Sequence, residues 1–248
     1  MANPVLSNNR MFQPREGVAG SPVGTSSHPM SIKSTILKTA SLFGILLITA
    51  GVGWLVNSFA VTVAAVIAGF ILGLVNSFKK SPSIALIVAY SAVEGVAVGG
   101  LSVFFETVYP GVVVQAVLAT LVTVGVVLAL FTNGVIRASA RATKVFIVAT
   151  VSYIAFSLVN IVLSVTNIIP EPFGLYSATM FGIPLGIIIG ILAILLASYS
   201  LVLDFTYIKN GVDNRIDSRY EWLAGYGIVA SVIWIYLEFL RIFALSRN

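Results

Sequence analysis

The chain has 248 residues, of which 58% are hydrophobic and only 9% charged. Soluble domains carry about 25% charged residues, so this supply cannot build a water-facing surface and the solvent must be largely lipid. The net charge of +5 is then a guide to topology rather than a nucleic-acid footprint. No cysteine is present, and the single histidine, His28, lies in a polar stretch. Disulfides, thiolate chemistry, Cys- or His-based metal sites and Ser-His or Cys-His catalysis within the membrane are thereby excluded.

Residues 1–33 hold Asn, Ser, Pro, Gly and scattered charge without an apolar period. They bury too little surface to offset their ordering entropy and read as a disordered cytoplasmic tail. They lack the early apolar core of a signal peptide. Residues 34–248 form the membrane domain. Apolar runs there are close to the ~20 residues a bilayer requires. They predict seven spanning helices at about 35–57, 59–78, 83–105, 111–133, 144–166, 177–208 and 222–245. The first two are separated only around Asn57 and Ser58, and one long kinked helix is the alternative. Pro184 predicts a kink inside the sixth.

The basic residues test this count. With the amino terminus cytoplasmic, the inner segments hold Arg10, Arg15, Lys33, Lys38, Lys79, Lys80, Arg137, Arg141, Lys144, Lys209, Arg215 and Arg219. Only Arg241 and Arg247 fall outside, and the outer loops carry Glu106 and Glu171. A wrong helix count would scramble this alternation. Gly182, Gly186 and Gly190, and likewise Ser91, Gly95 and Gly99, recur every four residues. In lipid such small-residue faces let helix backbones approach closely.

Three acids lie inside apolar runs: Glu94, Asp204 and Glu238. A charge at the bilayer centre costs about 2.5–3.5 kcal/mol on insertion scales, so each should face the protein interior. Glu94 sits deepest along its helix, beside Ser91 and Gly95. It reads either as a proton or cation site or as a neutral group hydrogen-bonding between helices. Asp204 lies five residues before Lys209, with Ser200 and Tyr207 on its face. It is either a titratable latch at the inner mouth or a carboxylate snorkelling to the interface. Glu238 and Arg241, three apart near the outer end, predict an intrahelical ion pair. Asp204 is the only Asp in these runs, which excludes an aspartyl intramembrane protease. No mid-helix Lys is available for a retinal Schiff base. The loop DNRIDSRYE (213–221) lacks EF-hand spacing and reads as a solvated inner loop. No cofactor and no enzyme activity is expected.

The stretches SYSLVLDFTYIKNG (198–211), YEWLAGYGIVASVIWIYLEFLRIFAL (220–245) and YSAVEGVAVGGLS (90–102) resemble the Bax inhibitor-1 family, also called YccA-like or transmembrane Bax inhibitor motif proteins. The similarity covers about 35–245. The NPVL segment near the start resembles an actinobacterial branch and implies a bacterial plasma membrane. The resemblance implies six helices around a central seventh and a pH-sensitive calcium leak. In the family, a sixth-helix aspartate shares a proton with one in the seventh and holds the pore shut. Asp204 matches the first. Aligning on Arg241 puts the second at Ser231, a departure that leaves an Asp-Ser hydrogen bond, or Glu94 as the second acid. Lys79 and Lys80 are nearest to the family's basic partner at the end of the second helix. The expected partners are the bilayer, calcium or protons. The alternative function is a regulator that binds a membrane protein such as a protease and transports nothing.

Overall fold

Thirty-one to fifty-six residues from the amino terminus, the sequence already shows how this chain delimits its helices. Ser31 caps the first helix, its hydroxyl accepting the Ser34 N–H at 3.2 Å, and Asn57 ends it in the left-handed conformation at φ 43°. Asn tolerates that conformation better than most residues. The break at Asn57 and Ser58 therefore separates two helices, and the single kinked helix is ruled out. The computed structural model describes residues 28–79, 81–169, 171, 173–180 and 182–247. Its helices are α1 (Ile32–Val56), α2 (Phe59–Phe78), α3 (Ile84–Val108), α4 (Val112–Thr132), α5 (Ala140–Val165), α6 (Leu185–Asp213) and α7 (Tyr220–Leu245). All seven are long and apolar enough to cross a membrane. The protein is an all-α membrane protein, with one short hairpin, β1 (Thr179–Met180) and β2 (Ile183–Pro184), before α6.

That hairpin corrects two expectations. The sixth helix starts at Leu185 rather than near 177, so Pro184 kinks nothing. It ends β2, and Leu185, directly after it, opens the helix. A proline is well placed there because it has no N–H to contribute. Gly182 is likewise outside the helix. It sits at φ +78° with open space around it, so it supplies turn geometry and no contact face. The helix makes up the length at its other end, running through Lys209 to Asp213.

Compactness divides the described chain into two units, 28–103 with 203–230 and 104–202 with 231–247. In the first unit, glycines decide the packing of α1 on α3. A side chain at Gly95 would collide with Thr49 and the Leu46 carbonyl, and one at Gly99 with the Ala50 carbonyl. Gly53 on α1 meets the Val96 carbonyl in the same way. In the second unit, Gly186 and Gly190 on α6 lie against Tyr176, Leu245 and Ile242. Large apolar residues such as Leu47, Leu55, Phe59, Leu121 and Val148 are exposed, whereas Thr35, Asn76, Ser91, Ser200, Asp204, Glu221 and Glu238 are buried. This is the distribution expected of a surface that meets lipid.

The expected tail lies mainly in residues 1–27, outside the described residues. Its last part is engaged. Met30 N–H donates to the Ile216 carbonyl at 2.7 Å and Ser218 N–H to the His28 carbonyl at 3.0 Å, so 28–30 run as a strap along the α6–α7 loop, and α1 begins at Ile32.

Replacing Gly99 with Val should destabilise the protein by about 1–3 kcal/mol, the usual cost of overpacking. Gly125→Ala, where nothing lies within 4 Å, should be neutral or slightly stabilising. Thermal unfolding in detergent compares them; equal melting temperatures for both variants would contradict the close α1–α3 contact.

Candidate functional site

In the first unit, two of the predicted acids are held against bare backbone. Asp204 is 4% exposed, more deeply covered than its place near the end of an apolar run suggested. Its carboxylate occupies the space a side chain would take at Gly227 of α7. Glu94, in the middle of α3, is half-buried. Its carboxyl fills the corresponding space at Gly69 of α2, where an added Cβ would lie 2.8 Å from Oε1. Each acid thus depends on a glycine of a neighbouring helix. Asp204 is the more covered of the two, while Glu94 keeps its place near the middle of its helix.

Two tyrosines, not singled out by sequence, complete this cluster. Tyr90 precedes Glu94 by one helical turn on α3 and is buried, so the two share a helix face. Tyr226, next to Gly227, packs edge-on against Tyr90 with ring centroids 4.8 Å apart. Its hydroxyl donates to the Gly73 carbonyl at 3.1 Å. Tyr226 lies within electrostatic reach of both Glu94 and Asp204. The Tyr-x-x-x-Glu spacing would have revealed the first pair, since residues four apart share a helix face. Tyr226 carries no such signal, because its partners come from three other helices. Ser91 is fully buried, and its hydroxyl has no hydrogen-bond partner among the described residues. Tyr207 is half-buried on α6. Among the described residues no three acids or histidines converge on one point.

The loop expected to be solvated ends on a buried carboxylate. Glu221, in the first turn of α7, is 0% exposed. It accepts from Ser31 N–H at 2.8 Å, Ser34 Oγ at 2.6 Å and Lys38 Nζ at 2.6 Å. Lys38 also donates to the Ser218 carbonyl at 3.1 Å. Three donors from the start of α1 compensate the lost hydration of this acid. Asp217 and Arg219 behave as a loop pair should. Arg219 is exposed and bonded to Asp217 at 3.1 Å, which holds its guanidinium above the usual range. Lys79 is exposed, and Lys80 is outside the described residues.

In the second unit, Ser231 donates to Ser200 at 3.0 Å, both buried. Glu238 and Arg241 form the expected ion pair, and Glu238 is only 4% exposed. The Glu238 carboxylate accepts from Tyr153, from Trp234 Nε1 at 3.2 Å and from Arg241. The guanidinium donates to the Tyr153 hydroxyl at 3.1 Å and lies over the Tyr176 ring, 4.3 Å from its centroid. With three donors and a stacked cation, Glu238 is bound as a compensated charge.

A family model described as Bax inhibitor 1 like matches residues 3–248. No curated protein matches the chain.

Breaking the Glu221 cluster from one side should be costly, because it leaves a charge buried without its partner. Glu221→Ala and Lys38→Met should each destabilise by about 3–5 kcal/mol, and the double variant by less than the two combined. Unfolding in detergent, read as a double-mutant cycle, measures this; strict additivity would show that the two residues act independently.

Proposed function

Because this chain belongs to the Bax inhibitor-1 family, we propose that it is a pH-sensitive cation leak, with calcium as the ion and protonation of buried carboxylates as the gate. The observation that carries this reading is the pairing of Asp204 and Glu94 with glycine backbones around one tyrosine. A carboxylate in such a place must be compensated or protonated. A change in its protonation alters the force between helices that touch at a glycine, with no side chain between to absorb it.

Asp204 takes the role of the family's sixth-helix aspartate. Ser231 stands where the resemblance puts the seventh-helix aspartate, so the second titrating group is Glu94. Protonated, the acids are neutral and the closed packing is maintained. Ionised, they attract a cation. Glu238 does not take part, because its charge is neutralised by Arg241. The reading is of a conduit and not an enzyme: the chain has no cysteine and its one histidine is His28. The amino terminus is placed in the cytoplasm by the distribution of basic residues, so Asp204 guards the inner mouth.

Calcium entry into proteoliposomes, followed at several pH values, tests this. The parent should show saturable flux that varies with pH. Asp204→Asn and Glu94→Gln should each change its size and flatten its pH profile. Gly227→Ala, whose methyl displaces the Asp204 carboxylate, should act in the same direction as Asp204→Asn. If folded parent protein gives no flux above empty liposomes at any pH, the leak is refuted. The acids then serve as interhelical hydrogen-bonding groups, and a regulator that binds a membrane protein becomes the better account.

A further inference from the structure

We infer that Tyr226 is the positioning residue of this gate: its hydroxyl clasps α7 to the Gly73 carbonyl of α2 and makes the two acids act as one unit. The inference rests on the reading of Asp204 and Glu94 as the gate and adds to it the part that links them. Four observations support it. The Tyr226 hydroxyl donates to Gly73 at 3.1 Å, one turn before the buried Ser77 on α2. Its ring meets Tyr90 edge-on at 4.8 Å, and Tyr90 lies one helical turn from Glu94 on the same face of α3. Its chain neighbour Gly227 is the backbone against which the Asp204 carboxylate rests. Finally, Gly69 and Gly73 are one turn apart on α2, and a side chain at Gly73 would meet Tyr90 at 3.5 Å and the Tyr226 hydroxyl at 3.7 Å.

The groups facing Tyr226 are therefore Tyr90 and Glu94 from α3, Gly73 and Ser77 from α2, and Asp204 from α6. Two of them are acids, and Tyr226 lies within reach of both. A charge appearing on either one pulls on the phenol's dipole and loosens its bond to Gly73. Opening the clasp frees the α7 segment that carries Gly227, and so moves the surface under the other acid. The hydroxyl bonds across helices to Gly73 from a residue whose ring meets Tyr90 and whose chain neighbour lies under Asp204. An aromatic ring alone would keep the packing and lose the link.

Tyr226→Phe in the full chain separates these roles, because it removes one oxygen and leaves the ring stack. Calcium flux at neutral pH should rise roughly 2–10-fold, the range expected for one lost hydrogen bond, and the pH profile should become shallower. Tyr199→Phe is the control. Tyr199 bonds the start of α5 through Ser139 and Thr143, so its loss should lower thermal stability and leave the profile unchanged. A Tyr226→Phe protein with the parent's pH profile, at any flux, overturns the inference and makes Tyr226 a simple packing residue. The melting temperature across pH is measured in parallel for Tyr226→Phe, Asp204→Asn, Glu94→Gln and the doubles. Coupling predicts that the pH-dependent shifts fail to add; additive shifts overturn it. If the parent carries no flux, the leak reading fails by itself, and the additivity of these melting shifts still decides for or against Tyr226.

Discussion

Lipid gives helices no hydrophobic reason to associate, because a leucine is as well solvated by acyl chains as by another leucine. The packing described above follows from that constraint. Many large apolar residues face outward, and beside buried ones such as Leu42, Ile87, Leu201 and Leu223 the close contacts inside are made at small residues: Gly53, Gly95 and Gly99 between α1 and α3, Gly69 under Glu94, Gly227 under Asp204. Close backbone approach supplies dispersion contacts, and buried hydroxyls, amides and carboxylates supply the directional bonds. Every acid in the spans therefore has two roles, as part of the adhesive and as a group with a charge to manage.

The three carboxylate sites manage that charge differently. Glu221 and Glu238 are each met by three donors, one of them a cation, and are held as neutralised pairs. Asp204 and Glu94 rest on glycines and share the neighbourhood of Tyr226. A pair with its own cation has little reason to respond to pH in the physiological range. The proposed gate uses the other two acids, which rest on glycine backbone.

Much of this was legible in the sequence, and the parts that were not have definite causes. Seven spans followed from apolar run lengths, whereas the break at Asn57 and Ser58 stayed open against one kinked helix until the left-handed Asn57 decided it. The i, i+3 spacing of Glu238 and Arg241 was enough to expect their pair. Periodicity misled at Gly182, which has the right interval but sits in a turn, and at Pro184, which precedes the sixth helix instead of bending it. Glu221 was hidden because its donors are in α1, far away along the chain. The fold unites them, and nothing in the loop's alternating charges marks the last acid as different. Tyr226 was hidden for the same reason. Sequence reports what a helix could bury; it does not report which neighbour will be there.

The bond between Lys38 and Glu221 spans 183 positions of the chain and joins the first span to the start of the last. A ribosome-bound chain cannot make it until α7 has been synthesised. Until then Lys38 has no Glu221 to neutralise it, and the strap at 28–30 has no loop to lie along. The contact therefore closes the first unit in biogenesis as well as in space. A protein truncated before residue 221 would retain six apolar helices and leave Lys38 without this carboxylate.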